Sequence, residues 1–384
     1  MSGDFEFNDE LCLTKKDQSK LKREFPNVAF ALHTVELAEP FKKIDAEAKE
    51  KKSRFRRFGM FAIALAWIAL TAAAVEAAIV LPNKAAGVIP QSAANVIAIA
   101  AAAAGIFSVV IGWAGMGISN RKRDWLKSRL IAERYRQWQW QYLLTHIDAA
   151  IAATIGSEDD RHAYVTQRAE VFRSTSEDLL NNSGALLAEQ LGTDTSLDTK
   201  LWLDRSADIK IDNILTHYAT QSSPPEKEAL EELFRGYTSI RFRSQSRYTA
   251  WILGDVRFWM HPRTQQRKLH AVGEFCVAVI VILHVALLSG VLFQISELHS
   301  PVIYLLALDF AVSALAARAI EDGLGPAEQI ARLKAYLNAI ETARLRFAAG
   351  DVADKIREAV QMENAAAREM NEFLTAANSK RYVM

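Results

Sequence analysis

The chain has 384 residues, 50% of them hydrophobic, and its 46 Lys and Arg against 45 Asp and Glu leave a net charge of +1. That balance excludes an argument for nucleic-acid binding from overall charge. Two cysteines, Cys12 and Cys276, are too few for a disulfide framework, so the polar parts are expected in a reducing compartment.

Residues 1–40 open acidic and aromatic (Asp4, Phe5, Glu6, Phe7), continue through a basic patch at 15–23 and carry Pro26 and Pro40. Lacking an apolar core, they do not read as a cleavable signal peptide. They read as an amphipathic arm, loose unless tied down, with a gate or plug as the sharper alternative.

Two apolar runs follow, 58–81, stopped by Pro82, and 93–117, each sufficient for a bilayer-spanning helix of roughly 20 residues. No Asp, Glu, Lys or Arg lies between Lys84 and Arg121. Along the second run Ala104, Ser108, Gly112 and Gly115 would let helix backbones approach closely, so this span is expected inside an assembly. A second hairpin is expected from spans at 271–293 and 302–318. Lys and Arg crowd 42–57 and 121–136, whereas the two hairpin loops hold only Lys84. The positive-inside rule then puts both termini and the middle of the chain in the cytoplasm.

Each hairpin is followed by a helix with one apolar stripe: Ile131, Tyr135, Trp138 and Tyr142 after the first, Ile330, Leu333, Leu337 and Ile340 after the second. The plan reads as an internal duplication. It comprises an arm (1–40), a first repeat (41–156), a cytoplasmic helical connector (157–235) and a second repeat (236–384). Within 157–268 helices break at 192–196 and 222–225, and 226–260 reads as one helix ended by Pro262. Nothing reads as a strand. The expected fold is all-α, with four transmembrane helices as two repeated hairpins and long cytoplasmic helices.

Catalytic signatures are missing. There is no Gly-x-x-x-x-Gly-Lys-Ser/Thr, His-Glu-x-x-His, Gly-x-Ser-x-Gly or Cys-x-x-Cys, and no potassium-filter sequence. Asp159, Asp160, Arg161 and His162 could hold a metal but read better as a solvated helix start. The chain is therefore expected to be no enzyme and to need no metal or cofactor.

Polar groups inside the spans are more informative, because ionisable residues in a bilayer usually face a bundle interior or water. Glu76, His284 and Asp309 are candidates for lining or gating a pore. His284 and Asp309 lie at similar depth from the outer loop, within about one helical turn, so they are expected to approach each other. Glu274 and Arg318, near the inner ends of the same helices, are expected to pair. Before the second hairpin, Arg235, Arg241, Arg243 and Arg247 alternate with Tyr237 and Tyr248. Guanidinium groups pair with phosphates and aromatic faces stack on bases, so these six residues are ligand-binding candidates for a nucleotide or single-stranded oligonucleotide. Farther along, Arg257 and its neighbours suit an interfacial belt.

Residues 51–57, 125–144, with Glu133, Tyr135 and Arg136 in a Glu-x-Tyr-Arg pattern, 248–259 and 330–347, placed around two hairpins, give a plan that resembles the SLATT family. These are two-helix membrane effectors associated with nucleotide-producing enzymes in bacterial anti-phage defence. The second copy lacks the Glu-x-Tyr-Arg pattern. A narrower likeness is to the tandem-SLATT effectors of Hailong-type systems, in which a nucleotidyltransferase makes short DNA oligomers that hold the channel closed. The resemblance implies a homo-oligomeric pore, with a tetramer as one option, in the bacterial inner membrane. Its partners would be the lipid bilayer, a nucleotide or short single-stranded DNA oligomer, and a nucleotidyltransferase. The rival reading is a non-conducting membrane scaffold that anchors a cytoplasmic partner.

Overall fold

The computed structural model describes residues 9–80, 115–192, 223–254, 261–295 and 301–380, with a few single residues between these stretches. All regular structure among them is helical. After a short 3-10 turn come α1 (Lys15–Glu24), α2 (Ala29–Leu32) and α3 (Val35–Val75), which ends in a π-helical turn, Glu76–Val80. Then follow α4 (Gly115–Thr145), α5 (Ile147–Ile155), α6 (Glu158–Asn181) and α7 (Ser183–Gly192). Next come α8 (Pro224–Tyr237), a second π-helical turn (Thr238–Phe242), α9 (Arg243–Ile252), α10 (Pro262–Phe293), α11 (Pro301–Leu324), α12 (Pro326–Ala349) and α13 (Val352–Ser379).

Local chemistry sets many of these ends. Thr14 Oγ1 accepts the Asp17 amide at 3.1 Å while the Asp17 carboxylate accepts the Thr14 amide, a reciprocal cap that starts α1. Ser157 and Asp160 do the same for α6, with the Ser157 amide donating to Asp160 at 2.8 Å. The cluster of Asp159, Asp160, Arg161 and His162 thus lies in the first turns of a helix, as expected. Prolines open α8, α10, α11 and α12, where a missing amide hydrogen costs nothing. Ser223 caps α8, while the break expected at 192–196 lies almost wholly outside the described residues. The helix expected over 226–260 instead passes through the π turn and stops at Ile252.

Two compact units result. The first comprises Met1–Lys49, Trp125–Gly254 and Ile330–Asn378. At its centre runs the latter part of α4, buried on nearly all sides from Trp125 to Thr145, so its ordinary amphipathic stripe gives way to packing all round. Aromatic rings fill the space: Trp138 stacks on Tyr142 at 5.0 Å and meets Phe172 at 4.9 Å, while Trp140 meets Tyr237 edge-on at 5.4 Å. The N-terminal segment belongs to this core from Glu10 onward. Leu11, Val28, Leu32 and Leu37 are fully enclosed, and Gln139 on α4 donates to the Leu32 carbonyl at 2.8 Å. Gly236 allows α8 to lie directly on Leu32, into which any Cβ there would drive.

The second unit comprises Glu50–Asp124, Asp255–Gln329 and Ser379–Met384. Three helices are long and apolar enough to cross a membrane, within Ala29–Val80, Pro262–Phe293 and Pro301–Ala349, and at most 17% of each apolar window is buried. Apolar surface on that scale needs lipid or a partner to cover it, and the chain is read as a membrane protein on that basis. The spans expected at 58–81, 271–293 and 302–318 fall in these helices. Most of the span expected at 93–117, including Ala104, Ser108 and Gly112, lies outside the described residues. Gly115 is the first residue of α4.

Candidate functional site

The six ligand-binding candidates, on α8, the π turn and α9, separate by azimuth. Arg235, Arg243 and Arg247 are exposed, Tyr248 is half-buried, and Tyr237 and Arg241 are enclosed. The π turn of Thr238–Phe242 joins the two α-helical segments, and such bulges recur at functional sites.

Arg241 and Tyr237 have spent their donors inside the protein. Arg241 forks onto Glu363, Nε at 2.9 Å and Nη2 at 2.8 Å, and its Nη1 reaches Glu10 at 2.7 Å. Glu10 also accepts from Gln245 at 2.7 Å and pairs with Arg136 at 2.7 Å. Tyr237 donates to Glu363 at 2.9 Å, and Tyr336 to Gln245 at 3.1 Å. Burial works against the charge on Arg241, but Glu363 and Glu10 hold its guanidinium above the ordinary value. Nearby, burial alone would raise the Glu133 carboxyl, yet Arg129 and Arg136 bring it below the usual range. The expectation that Arg241 and Tyr237 meet a ligand is therefore corrected. They form a buried ionic network, and the Glu-x-Tyr-Arg pattern at Glu133, Tyr135 and Arg136 is part of the same core.

Arg235, Arg243 and Arg247 instead line an open cleft of about 890 Å³ together with Arg344 and Lys355. Five cationic side chains face two acidic ones, Glu231 and Glu341, leaving an excess of three positive charges. Glu341 is already engaged. It accepts the Ser246 hydroxyl, which holds its carboxyl below the usual range, and it pairs with Arg344 at 2.8 Å. Thr238, Ser239 and Ser246 add hydroxyls. Phe234 and Phe347, edge to face at 5.4 Å, form a buried apolar wall, with the Lys355 ammonium 5.9 Å from the Phe234 ring. Guanidinium and hydroxyl groups around a cleft suit phosphate oxygens. The buried rings leave little aromatic face for stacking bases. Among the described residues no group of three or more His, Cys, Asp or Glu could hold a metal. Arg344 and Lys355 were not legible in the sequence as site residues, because only the fold brings α12 and α13 beside α8.

The polar groups of the spans also part company. Asp309 accepts the Thr71 hydroxyl at 2.8 Å, and the Trp67 indole donates to Ser313 at 2.9 Å, so two hydrogen bonds tie α3 to α11. His284 sits on the exposed face of α10, its Nδ1 2.8 Å from the Ile280 carbonyl. Phe275 meets Phe310 at 6.0 Å, so Asp309 lies level with Cys276, about two helical turns along α10 from His284; the equal depth expected for His284 and Asp309 does not hold, and Asp309 takes the Thr71 hydroxyl instead. Glu274 pairs with His270 at 3.1 Å, and Arg318 with Glu321 at 3.2 Å and Asp322 at 3.5 Å, each within its own helix, in place of the expected pair. Glu76, in the π turn that ends the first span, is half-buried.

Compared with protein-family models, curated proteins and solved structures, the chain matches none.

Proposed function

We propose that the chain is a membrane effector of the tandem SLATT type, a homo-oligomeric channel or pore in the bacterial inner membrane with both termini cytoplasmic. In this reading a nucleotide or short single-stranded DNA oligomer, made by a partner nucleotidyltransferase, binds the cleft between α8–α9 and α12–α13 and sets the gate. Opening depolarises the membrane and arrests growth of the infected cell. A ligand that binds one gating state more tightly shifts the population toward that state.

The observation that supports this reading best is the cationic cleft of about 890 Å³ in a chain that also carries three helices fit to cross a membrane. Asp309, Glu76 and His284 supply polar groups for a conduit or gate.

The test is ion flux from liposomes loaded with purified protein, with and without short DNA oligomers and mononucleotides. Ligand-dependent flux that Arg243→Ala and Arg247→Ala render insensitive to ligand is the expected result. Absence of flux under every ligand condition would overturn the channel and leave the non-conducting scaffold.

A further inference from the structure

Between Glu231 and Thr249 two stripes follow the chain in strict steps of four. Leu233, Tyr237, Arg241, Gln245 and Thr249 are all buried in the first unit. Glu231, Arg235, Ser239, Arg243 and Arg247 all line the cleft. A straight α-helix turns ~100° per residue, so each step of four drifts by ~40° and neither stripe could keep to one face through four steps. The π turn at Thr238–Phe242 lies midway along both. Its wider ring takes up about one extra residue, roughly 100° of rotation, and so returns α9 to the azimuth of α8.

That rotation turns Gln245 inward, where it meets Glu10 and Tyr336. It also brings Arg243 and Arg247 into line with Arg235, in a row roughly 18 Å long at ~1.5 Å per residue. In an unbroken α-helix Arg247 would stand ~120° around from Arg235. A single phosphate cannot touch three guanidinium groups spread over that length, whereas a chain of linked phosphates can. Arg344 and Lys355 add charge from the other wall, and Glu231 ends the row by repelling such a chain. Bases find much less. No Asn or Gln lines the cleft, so the carboxamides that pair with base edges are missing, and the rings of its wall, Phe234 and Phe347, are only 5% and 3% exposed.

We infer that the π turn builds this site, and that the row of arginines it aligns takes a linear polyphosphate or phosphodiester chain by its successive charges, without regard to any bases the chain carries. Guanidinium groups match phosphate oxygens, and binding of that kind is independent of sequence. The inference rests on the cleft being a ligand site and narrows what it binds, whatever the spans do.

The test is fluorescence anisotropy on the full chain in detergent. A labelled deoxyadenosine oligomer, a deoxythymidine oligomer and an abasic strand of the same length should bind within about threefold of one another. Inorganic polyphosphate should displace them, and orthophosphate at the same phosphate concentration should not. Moving one cation at constant net charge tests the row itself. Arg243→Ser with Ser239→Arg keeps the charge on the stripe and should hold the affinity, whereas Arg243→Ser with Ser244→Arg carries it ~100° away and should weaken binding about tenfold, the scale of one charge-assisted hydrogen bond. Matching melting temperatures would show that both variants fold. A base preference above about tenfold, or equal affinity in the two relocation variants, would overturn the inference. Polyphosphate binding without oligomer binding would keep the row and overturn only the nucleic-acid regulator. Oligomer binding that polyphosphate cannot displace would do the reverse, and no binding by either would overturn both.

Discussion

Arg241 presents the two edges of its guanidinium to different acids, one edge forked onto Glu363 at 2.9 and 2.8 Å and the remaining nitrogen on Glu10 at 2.7 Å. One buried cation therefore joins the start of the chain to its last helix. Charges taken out of water are tolerated when opposite charges and hydrogen bonds replace the solvent, and here both acids have further donors, Tyr237 and Gln245.

Replacing Arg241 by Ala leaves two carboxylates buried without their counter-charge. A loss of about 3–5 kcal/mol is expected, read as a lower melting temperature in detergent. A melting temperature equal to that of the native chain would show the network to be structurally idle.

Arg243→Ala and Arg247→Ala act on the cleft and not on the core, since both side chains are exposed. Binding of a short single-stranded DNA oligomer, followed by fluorescence anisotropy, should weaken. The slope of log affinity against log salt should become shallower by about 0.7 for each phosphate that the variant no longer neutralises. The melting temperature should hold. Unchanged affinity and slope in both variants would remove the cleft as the ligand site.

Acid should withdraw two stabilising contributions in turn. Burial holds the His33 imidazole below its ordinary 6.5, with Arg168 pushing the same way and the Leu11 carbonyl and Glu36 opposing. Arg129 and Arg136 hold Glu133 below 4.5 against the effect of its burial. Both folded values are depressed, so the unfolded chain takes up protons first and both contributions are present above the ordinary values. His33 loses its share as pH falls from 6.5 through its folded value, and Glu133 as pH falls from 4.5 through its own. His33→Gln should flatten the upper stage in a series of melts across pH. An upper stage unchanged in His33→Gln would contradict the assignment.

Thr71→Val removes the hydrogen bond to Asp309 between α3 and α11. Such bonds inside membranes average about 0.6 kcal/mol, so only a small loss of stability is expected. Asp309→Asn should keep the fold and, if the group lines or gates a conduit, alter liposome flux. Flux identical to the native chain in Asp309→Asn and Glu76→Gln would favour the scaffold.

Membrane-crossing stretches were the most legible part of the sequence, because the lack of charge over a bilayer's thickness is a local property. The run at 271–293 marks most of α10, although the helix begins at Pro262, where the residues are polar and only the proline signals a start. The interior of the first unit was much less legible. Arg241 and Arg243 are chemically identical and two residues apart, yet one lies in the core and the other on the cleft. Their difference depends on Glu10 and Glu363, which stand 231 and 122 residues from Arg241. No local pattern carries that information. The π turn at Thr238–Phe242 likewise has no compositional mark. The N-terminal arm looked loose because its burial depends on Gln139 and the aromatic rings of α4, far along the chain.

The first unit is assembled from three separated stretches of chain, and that has a consequence for biosynthesis. Glu10 leaves the ribosome roughly 350 residues ahead of Glu363, a wait of about 20–70 s at ~5–20 residues per second. During it, the hydrophobic runs at 58–81 and 271–293 have already emerged and entered lipid. Arg136 and Arg241 can reach Glu10 in that interval, but the second carboxylate that completes the site on Arg241 comes with the last helix. A nascent chain stopped before Glu363 should therefore be inserted in the membrane while its first unit stays open to proteases and chaperones, and the arrival of Glu363 at Arg241 would be the event that closes it.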